Sequence, residues 1–208
     1  MPFTLSHPAI LLPFLKNKKL SATALIIGSM SPDFEYFFRM KMQSEISHTF
    51  WGIFLIDFPL GFIVMFAFHE IINNFLTVVI SFFLGAVSHI FWDSMTHWDG
   101  YLVQRVSFLN LELFSIPLYK IAQHLSSIIG LAYILGYAYN LPSDNKELRV
   151  INLNYWYLTF LFAVFAIAVR FYFGTELDKI GNAIVSVLSP MIFAVTLVGF
   201  FFRNKRAI

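Results

Sequence analysis

The sequence predicts an all-α fold: a polytopic membrane helical bundle of about five transmembrane helices, preceded by short N-terminal interfacial or packed helices. Three observations predict it. Of the 208 residues, 58% are hydrophobic and only 12% charged, about half the roughly 25% charged share of soluble domains. The chain carries 26 phenylalanines and a mean hydropathy of +0.71, more apolar surface than a water-soluble fold of this size can hide. Apolar runs approaching the length that spans a hydrocarbon core, about 20 residues, recur between short polar connectors. One domain is expected over 1–208, with a motif-bearing segment at 1–48 and the transmembrane bundle at 49–208.

The chain opens with Ser6 as an N-cap and Pro8 in a first helical turn, followed by an apolar stretch too short to span. After the basic cluster Lys16, Lys18 and Lys19 comes a second short apolar helix, Leu20 to Met30, broken at Pro32. Five spans follow: Thr49 to Phe68, which contains Asp57 and Pro59, then Phe75 to Trp92, Leu125 to Tyr139, Tyr155 to Phe173 and Ala183 to Phe202. Trp51, Trp92, Trp98, Tyr155, Trp156 and Tyr157 fall near span ends, where interfacial aromatics sit. The long loop from Asp99 to Gln123 holds several apolar residues and is compatible with a re-entrant or surface helix, with no single structure assigned to it. No cleavable signal peptide is read at the N-terminus, because a basic cluster follows the first apolar stretch and no small-residue cleavage site appears. Five Lys and Arg precede the first span and none occupies the connector at His69 to Asn74, which favours a cytoplasmic N-terminus. Five spans, however, then put the basic tail Arg203, Lys205 and Arg206 outside, against the same rule.

Composition also excludes chemistries. A formal charge of +2, with no basic stripe interleaved with aromatics, gives no nucleic-acid partner. Cysteine is absent, so there is no disulfide framework, thiolate metal site or cysteine nucleophile. Any metal has to be held by histidines and carboxylates. The Gly-x-Ser-x-Gly elbow, the P-loop and the dinucleotide fingerprint are missing as well.

The polar residues that remain are few and patterned. His89, Asp93 and His97 stand at i, i+4 and i+8, one stripe of a helix, and two imidazoles flanking a carboxylate suit Zn²⁺ or a related divalent ion. The other reading is of polar groups at a helix end, each satisfied by water or a neighbour. His7, Asp33, Glu35 and His48 precede the first span, while the stripe lies at the exit of the second. Two crossings return the chain to its starting side, so all of these groups can share one membrane face. The expected metal ligands are therefore His7, Asp33, His48, His89, Asp93 and His97. Such a set suits a metal that lowers the pKa of bound water and polarises a phosphoryl or acyl oxygen, with Glu35 or Asp99 as general base or orienting group. Zinc is the expected ion, with manganese or magnesium as alternatives. Asp57 reads as a half-buried acid beside the Pro59 break, His69 and Glu70 as a solvated connector, and His124 as a further candidate ligand.

Pro2 to Ala9, Met30 to Glu35, Ser47 to Thr49, Ser88 to His97 and Tyr119 to Gly130 resemble the motifs of an uncharacterised bacterial integral-membrane family, a domain of unknown function. The resemblance covers the chain up to about Gly130. More distantly, the order of His and Asp is similar to the predicted membrane-bound metal-dependent hydrolases and to zinc-dependent phospholipase C. That similarity implies His7, Asp33, His48, His89 and Asp93 as ligands; the later His-x-x-x-Glu pair and the amino-terminal Trp of the phospholipase group have no counterpart. The resemblance implies a bacterial inner (plasma) membrane protein.

Two functions follow. One is a membrane-embedded metal-dependent hydrolase acting on a phosphoester or lipid-linked substrate at head-group level. The other is a non-catalytic scaffold or transport component in which the same groups form a buried His/Asp polar network, as membranes demand of unpaired polar atoms. Haem held by His48 and His89 is a third arrangement, disfavoured by Asp93 one turn from His89. The lipid bilayer is the partner in every case; substrate and oligomeric state are not readable.

Overall fold

The chain is helical along most of its described residues, 4–67, 75–141, 152–174 and 180–203 of a computed structural model. Its helices are α1 (Ala22–Met30), α2 (Phe34–Arg39), α3 (Phe50–Gly52), α4 (Phe58–Ala67), α5 (Phe75–Thr96), α6 (Leu118–Tyr139), α7 (Leu153–Tyr172) and α8 (Ile180–Arg203). Four of them, α5 to α8, are long and apolar enough to cross a membrane. The first of the five expected spans is the shorter apolar helix Phe50–Met65. By length and composition the chain is an integral membrane protein. It packs as two compact units: Met1–Phe34 with Ser44–Pro142, and Glu35–Gln43 with Ser143–Ile208.

In the first unit the opening stretch, Thr4–Phe14, is a 3-10 helix rather than the capped α-helix expected around Ser6. Pro8 and Pro13 both lie inside it. Each lacks an N–H and crowds the carbonyl four residues back, so a regular α ladder cannot run through them. α1 starts at a cap not named among the expectations from sequence: Ser21 Oγ accepts the Ala24 N–H at 3.2 Å. It ends in the turn Ser31–Asp33, where Pro32 breaks it.

α1 lies directly on α5. A Cβ at Gly28 would overlap the Phe82 backbone, and one at Gly85 the backbone of Leu25 and Ser29, so two missing side chains set the approach of the helices. Phe82, Ala24 and Ala86 are fully buried at this contact. The Ser21 N–H donates to Ser81 Oγ at 2.8 Å, while the far end of α1 reaches His89 through Ser29. The chain thus passes from His7, beside Asp93, to Ser21, beside Ser81, and back to Ser29. Ser81 is twelve residues before Asp93, about 18 Å by helical rise. The short N-terminal elements are therefore packed, as a hairpin running down and back along α5.

α3 and α4 join through a π-helical turn, Ile53–Asp57, into one helical track. Pro59 offers no N–H to the carbonyl four residues earlier, and the widened turn absorbs that loss. Asp57 closes the π turn fully buried, deeper than the half-buried acid expected.

α5 runs one turn beyond the expected end at Trp92, to Thr96, so Asp93 is still helical. α6 begins at Leu118, not Leu125, because Pro117 caps it; its polar first turns, with Lys120, Gln123 and His124, mask the start from a hydropathy reading. The α5–α6 loop, for which the sequence leaves a re-entrant or surface helix as one option, is mostly non-helical before α6. It holds a short 3-10 turn, Ser107–Asn110, and a hairpin of β1 (Glu112–Leu113) and β2 (Ile116–Pro117), in register Glu112 to Pro117. Phe114 and Ser115 at its tip have φ of 53° and 62°, the two left-handed residues of a two-residue hairpin turn.

In the second unit α7 and α8 pack together, with the Tyr155 hydroxyl donating to Val195 O at 3.3 Å. The segment after α2 is held on them by polar contacts. Arg170 Nη2 and Ser186 Oγ each donate to Met40 O at 3.1 Å, and the Met42 N–H donates to Asn182 Oδ1 at 2.9 Å.

Candidate metal centre

Five of the six expected ligands meet through their tips in the first unit. α5 supplies the stripe: His89 Nε2 lies 3.1 Å from Asp93 Oδ2, and His97 Nδ1 lies 3.4 Å from Asp93 Oδ1. The 3-10 stretch brings His7 Nε2 to 3.6 Å from Asp93 Oδ1 and stacks its ring on His89, centroids 3.6 Å apart. The turn at Pro32 delivers Asp33, whose Oδ1 is 3.6 Å from His89 Nε2 and 3.3 Å from His48 Nε2. His48 also reaches Asp93 Oδ2 at 3.4 Å. Asp93 is the hub, one oxygen toward His48 and His89 and the other toward His7 and His97.

Hydrogen bonds behind the rings fix their tautomers. His89 Nδ1 is 2.7 Å from the Ser29 carbonyl, which only accepts, so Nδ1 carries a proton and the neutral ring faces the carboxylates with its Nε2 lone pair. Ser47 Oγ donates to Pro32 O at 2.7 Å; Ser44, 2.7 Å from Ser47 Oγ, then donates to it. Both serine oxygens are left as acceptors, 3.0 and 3.3 Å from His48 Nδ1. His48 therefore also turns an Nε2 lone pair inward when neutral. This is the carbonyl or hydroxyl backing that metal-ligating histidines have. His97 differs. Its Nδ1 donates to the Asp93 backbone carbonyl at 3.2 Å, and Gln123 Nε2 lies 3.4 Å from its Nε2, so both ring nitrogens are engaged.

The cluster is buried but unevenly covered. The side chains of His7, Asp33 and His89 are at most 2% exposed, whereas His48 and His97 are 23% and 18% exposed and form its open side. Burial, then the neighbouring His89, pushes His7 down to about 3, so its contact with Asp93 is not an ion pair at neutral pH. Burial opposes charge on His48 too, but the carboxylates of Asp33 and Asp93, 3.3 and 3.4 Å from its Nε2, outweigh it and hold His48 up to about 10. For Asp33, burial is outweighed by His89 and His48, and its carboxyl stays below the usual range. Burial lowers His97.

The residues present fit a divalent cation. His7 Nε2, His89 Nε2 and all four oxygens of Asp33 and Asp93 are buried and make no hydrogen bond, which in a dry site costs about 1–3 kcal/mol per group. Ligands about 2.0–2.2 Å from one ion lie about 3.0–3.5 Å from one another; the spacings of His48 and His89 from Asp33 and Asp93 run from 3.1 to 3.6 Å. Two triads, His7–Asp33–His89 and His48–His89–Asp93, bring their ligand atoms within 4.8 Å of one another.

The other expected residues lie elsewhere. Glu35 pairs with Arg39 of its own helix at 2.8 Å. Asp99 is exposed in the turn after α5, and His124 is exposed on α6. Asp57 is not among the clustered groups, and His69 and Glu70 lie outside the described residues. Ser29, Ser44 and Gln123 are missing from the expected set, because backing carbonyls, hydroxyls and amides leave no spacing of their own in the sequence.

A family model described as a domain of unknown function, DUF4184, matches residues 1–76 and 70–200, well past the Gly130 limit of the sequence resemblance. No curated protein and no solved structure matches the chain.

Proposed function

The chain belongs to the DUF4184 family, a domain of unknown function, and from its His/Asp cluster we propose that it is a membrane-embedded metal-dependent hydrolase. Its substrate is a phosphoester or lipid-linked molecule at head-group level, and its setting a bacterial plasma membrane. The observation that carries this reading is the buried set of inward-facing imidazole and carboxylate atoms without hydrogen bonds around Asp93.

Asp33, His48, His89 and Asp93 would hold the ion, with His7 on the second oxygen of Asp93 and His97 orienting that carboxylate. A mixed nitrogen and oxygen set favours zinc over magnesium, which prefers oxygen and water. A bound ion of this kind supplies an acidified water and polarises a phosphoryl or acyl oxygen. Ser29 and the Ser44–Ser47 pair keep the lone pairs of His89 and His48 aimed inward. Water and a polar head group approach from the open side, at His48 and His97. Asp99, exposed in the turn two residues after His97, is the proposed general base.

Elemental analysis of detergent-purified protein tests the reading. About one or more equivalents of zinc or manganese are expected in the wild type, with loss in His89→Ala and Asp93→Ala; a wild type free of metal after reconstitution would end it. One observation favours the non-catalytic network instead: His48 Nε2 lies 3.3 and 3.4 Å from Asp33 and Asp93, so a protonated His48 offsets one of the two carboxylate charges without an ion. On that reading the alanine variants lose folded yield and no metal is bound.

A further inference from the structure

A cavity of about 380 Å³ lies in the first unit between the opening 3-10 stretch, α5 and α6, a volume in the range of small-molecule sites. His7, Ile10, Ser88, Trp92, Ile129 and Tyr133 are among its wall. Three donors of the wall are turned away into the protein: Ser88 Oγ to Gly85 O at 2.7 Å, Trp92 Nε1 to Ser126 Oγ at 3.2 Å and Ser126 Oγ to Gln123 O at 3.1 Å. The space they leave is walled mostly by carbon. A space so lined takes apolar matter in preference to polar.

Its position names the source of that matter. Ser126 and Tyr133 stand eight and fifteen residues into α6, about 12 and 22 Å along it, within a hydrocarbon core about 30 Å thick. The rim is exposed and apolar, with Ile10 44%, Ile129 64% and Tyr133 51% exposed, so it faces lipid. At its inner end His7 belongs to both the cavity and the cluster, its Nε2 3.6 Å from Asp93.

We infer that this cavity holds one hydrocarbon chain of a membrane lipid whose polar head lies at the His/Asp cluster. The lipid enters sideways from the bilayer, its chain passing Ile129 and Tyr133, while its head meets the open side at His48 and His97. The substrate of the hydrolase is then a membrane lipid and not a water-soluble phosphoester; this step rests on the proposed function above.

The test uses full-length protein in nanodiscs of phosphatidylglycerol doped with a phosphatidylglycerol bearing a diazirine on one acyl chain. Crosslinks are mapped by mass spectrometry, and bound zinc is measured on the same samples. Crosslinks concentrated on peptides carrying Ile10 and Ile129 to Tyr133 are expected, and about tenfold fewer in Ser88→Phe, which fills the cavity, at unchanged zinc. Should Ser88→Phe lose its zinc through misfolding, Ile129→Trp at the exposed rim decides by the same reading. Zinc-loaded protein whose crosslinks spread evenly over its lipid-facing helices, or are unmoved by the filling variants, overturns the inference and leaves the metal centre standing. Cavity crosslinks without any bound metal uphold the chain site and defeat the hydrolase alone.

Discussion

His48 sits between two serine oxygens on one side and two carboxylates on the other, and its behaviour separates orientation from charge. Ser44→Ala removes one acceptor from Nδ1 and leaves the ring's inward contacts in place. Zinc affinity is expected to fall about 10-fold or more, as when the backing partner of a metal-ligating histidine is removed; a chelator-competition titration measures it, and unchanged affinity would deny the serine its orienting role. Proton linkage gives a second expectation, for the metal-free protein. His48 is raised in the folded state to about 10, so its contribution is full below about 6.5 and is lost as pH rises from 6.5 to 10. His7 is depressed to about 3; its contribution is present above about 6.5 and fades as pH falls toward 3. The thermal midpoint without metal should peak near pH 6.5 and drop on both sides, and bound zinc should flatten the alkaline limb by replacing the proton of His48. A midpoint rising from pH 7 to 9 in the metal-free protein contradicts this assignment. At this scale the stripe of His89, Asp93 and His97 was legible, because helical spacing alone brings them together. The tautomers were not, since they depend on the carbonyls of Ser29 and Pro32, remote in sequence and identical in every residue.

The contact of α1 on α5 transmits directly to the site, because Ser29 lies one residue beyond the Gly28 crossing and holds His89 at 2.7 Å. Gly85→Ala puts a methyl into the Leu25 and Ser29 backbone. The variant is expected to lose about 1–3 kcal/mol of stability, as overpacked sites do, together with most of its zinc. Gly136→Ala on α6, where a Cβ meets nothing within 4 Å, should be neutral or stabilising by up to about 1 kcal/mol. Thermal unfolding and zinc content of the two variants check this pair of outcomes, and equal losses would show that the α1–α5 approach does not set the site. Helix existence was readable here from apolar runs and proline breaks, as for α1 and α5. Boundaries failed where a polar face is buried against protein: the first two turns of α6 carry Gln123, buried beside His97, and read as loop by hydropathy. The 3-10 form of the first stretch and the π turn before Pro59 are local answers to proline that a helical period does not reveal.

Across the first unit, the parity of crossings is what joins distant residues into one site. α5 and α6 are 22 residues each, about 33 Å by helical rise and enough for a hydrocarbon core of about 30 Å. The cluster at the end of α5 and the beginning of α6 therefore share a membrane face, and the end of α6 lies at the other. The counting of basic residues reads less well, because Lys16, Lys18 and Lys19 lie just before Ser21, which packs beside Ser81 about 18 Å of rise from Asp93. Their charge cannot be credited to the face that holds the cluster, and a sequence read as one strand before the first span had no means to separate them. The absence of cysteine makes the topology directly measurable. Glu45→Cys and Asp99→Cys, at exposed positions near the cluster, should react with an impermeant maleimide from one side only, in intact cells or in inverted vesicles. Tyr139→Cys, 90% exposed at the last residue of α6, should react only from the opposite side. Labelling of Asp99→Cys and Tyr139→Cys from the same side would mean that α6 does not cross, and the cavity between α5 and α6 would then lose the bilayer depth on which a lipid chain depends.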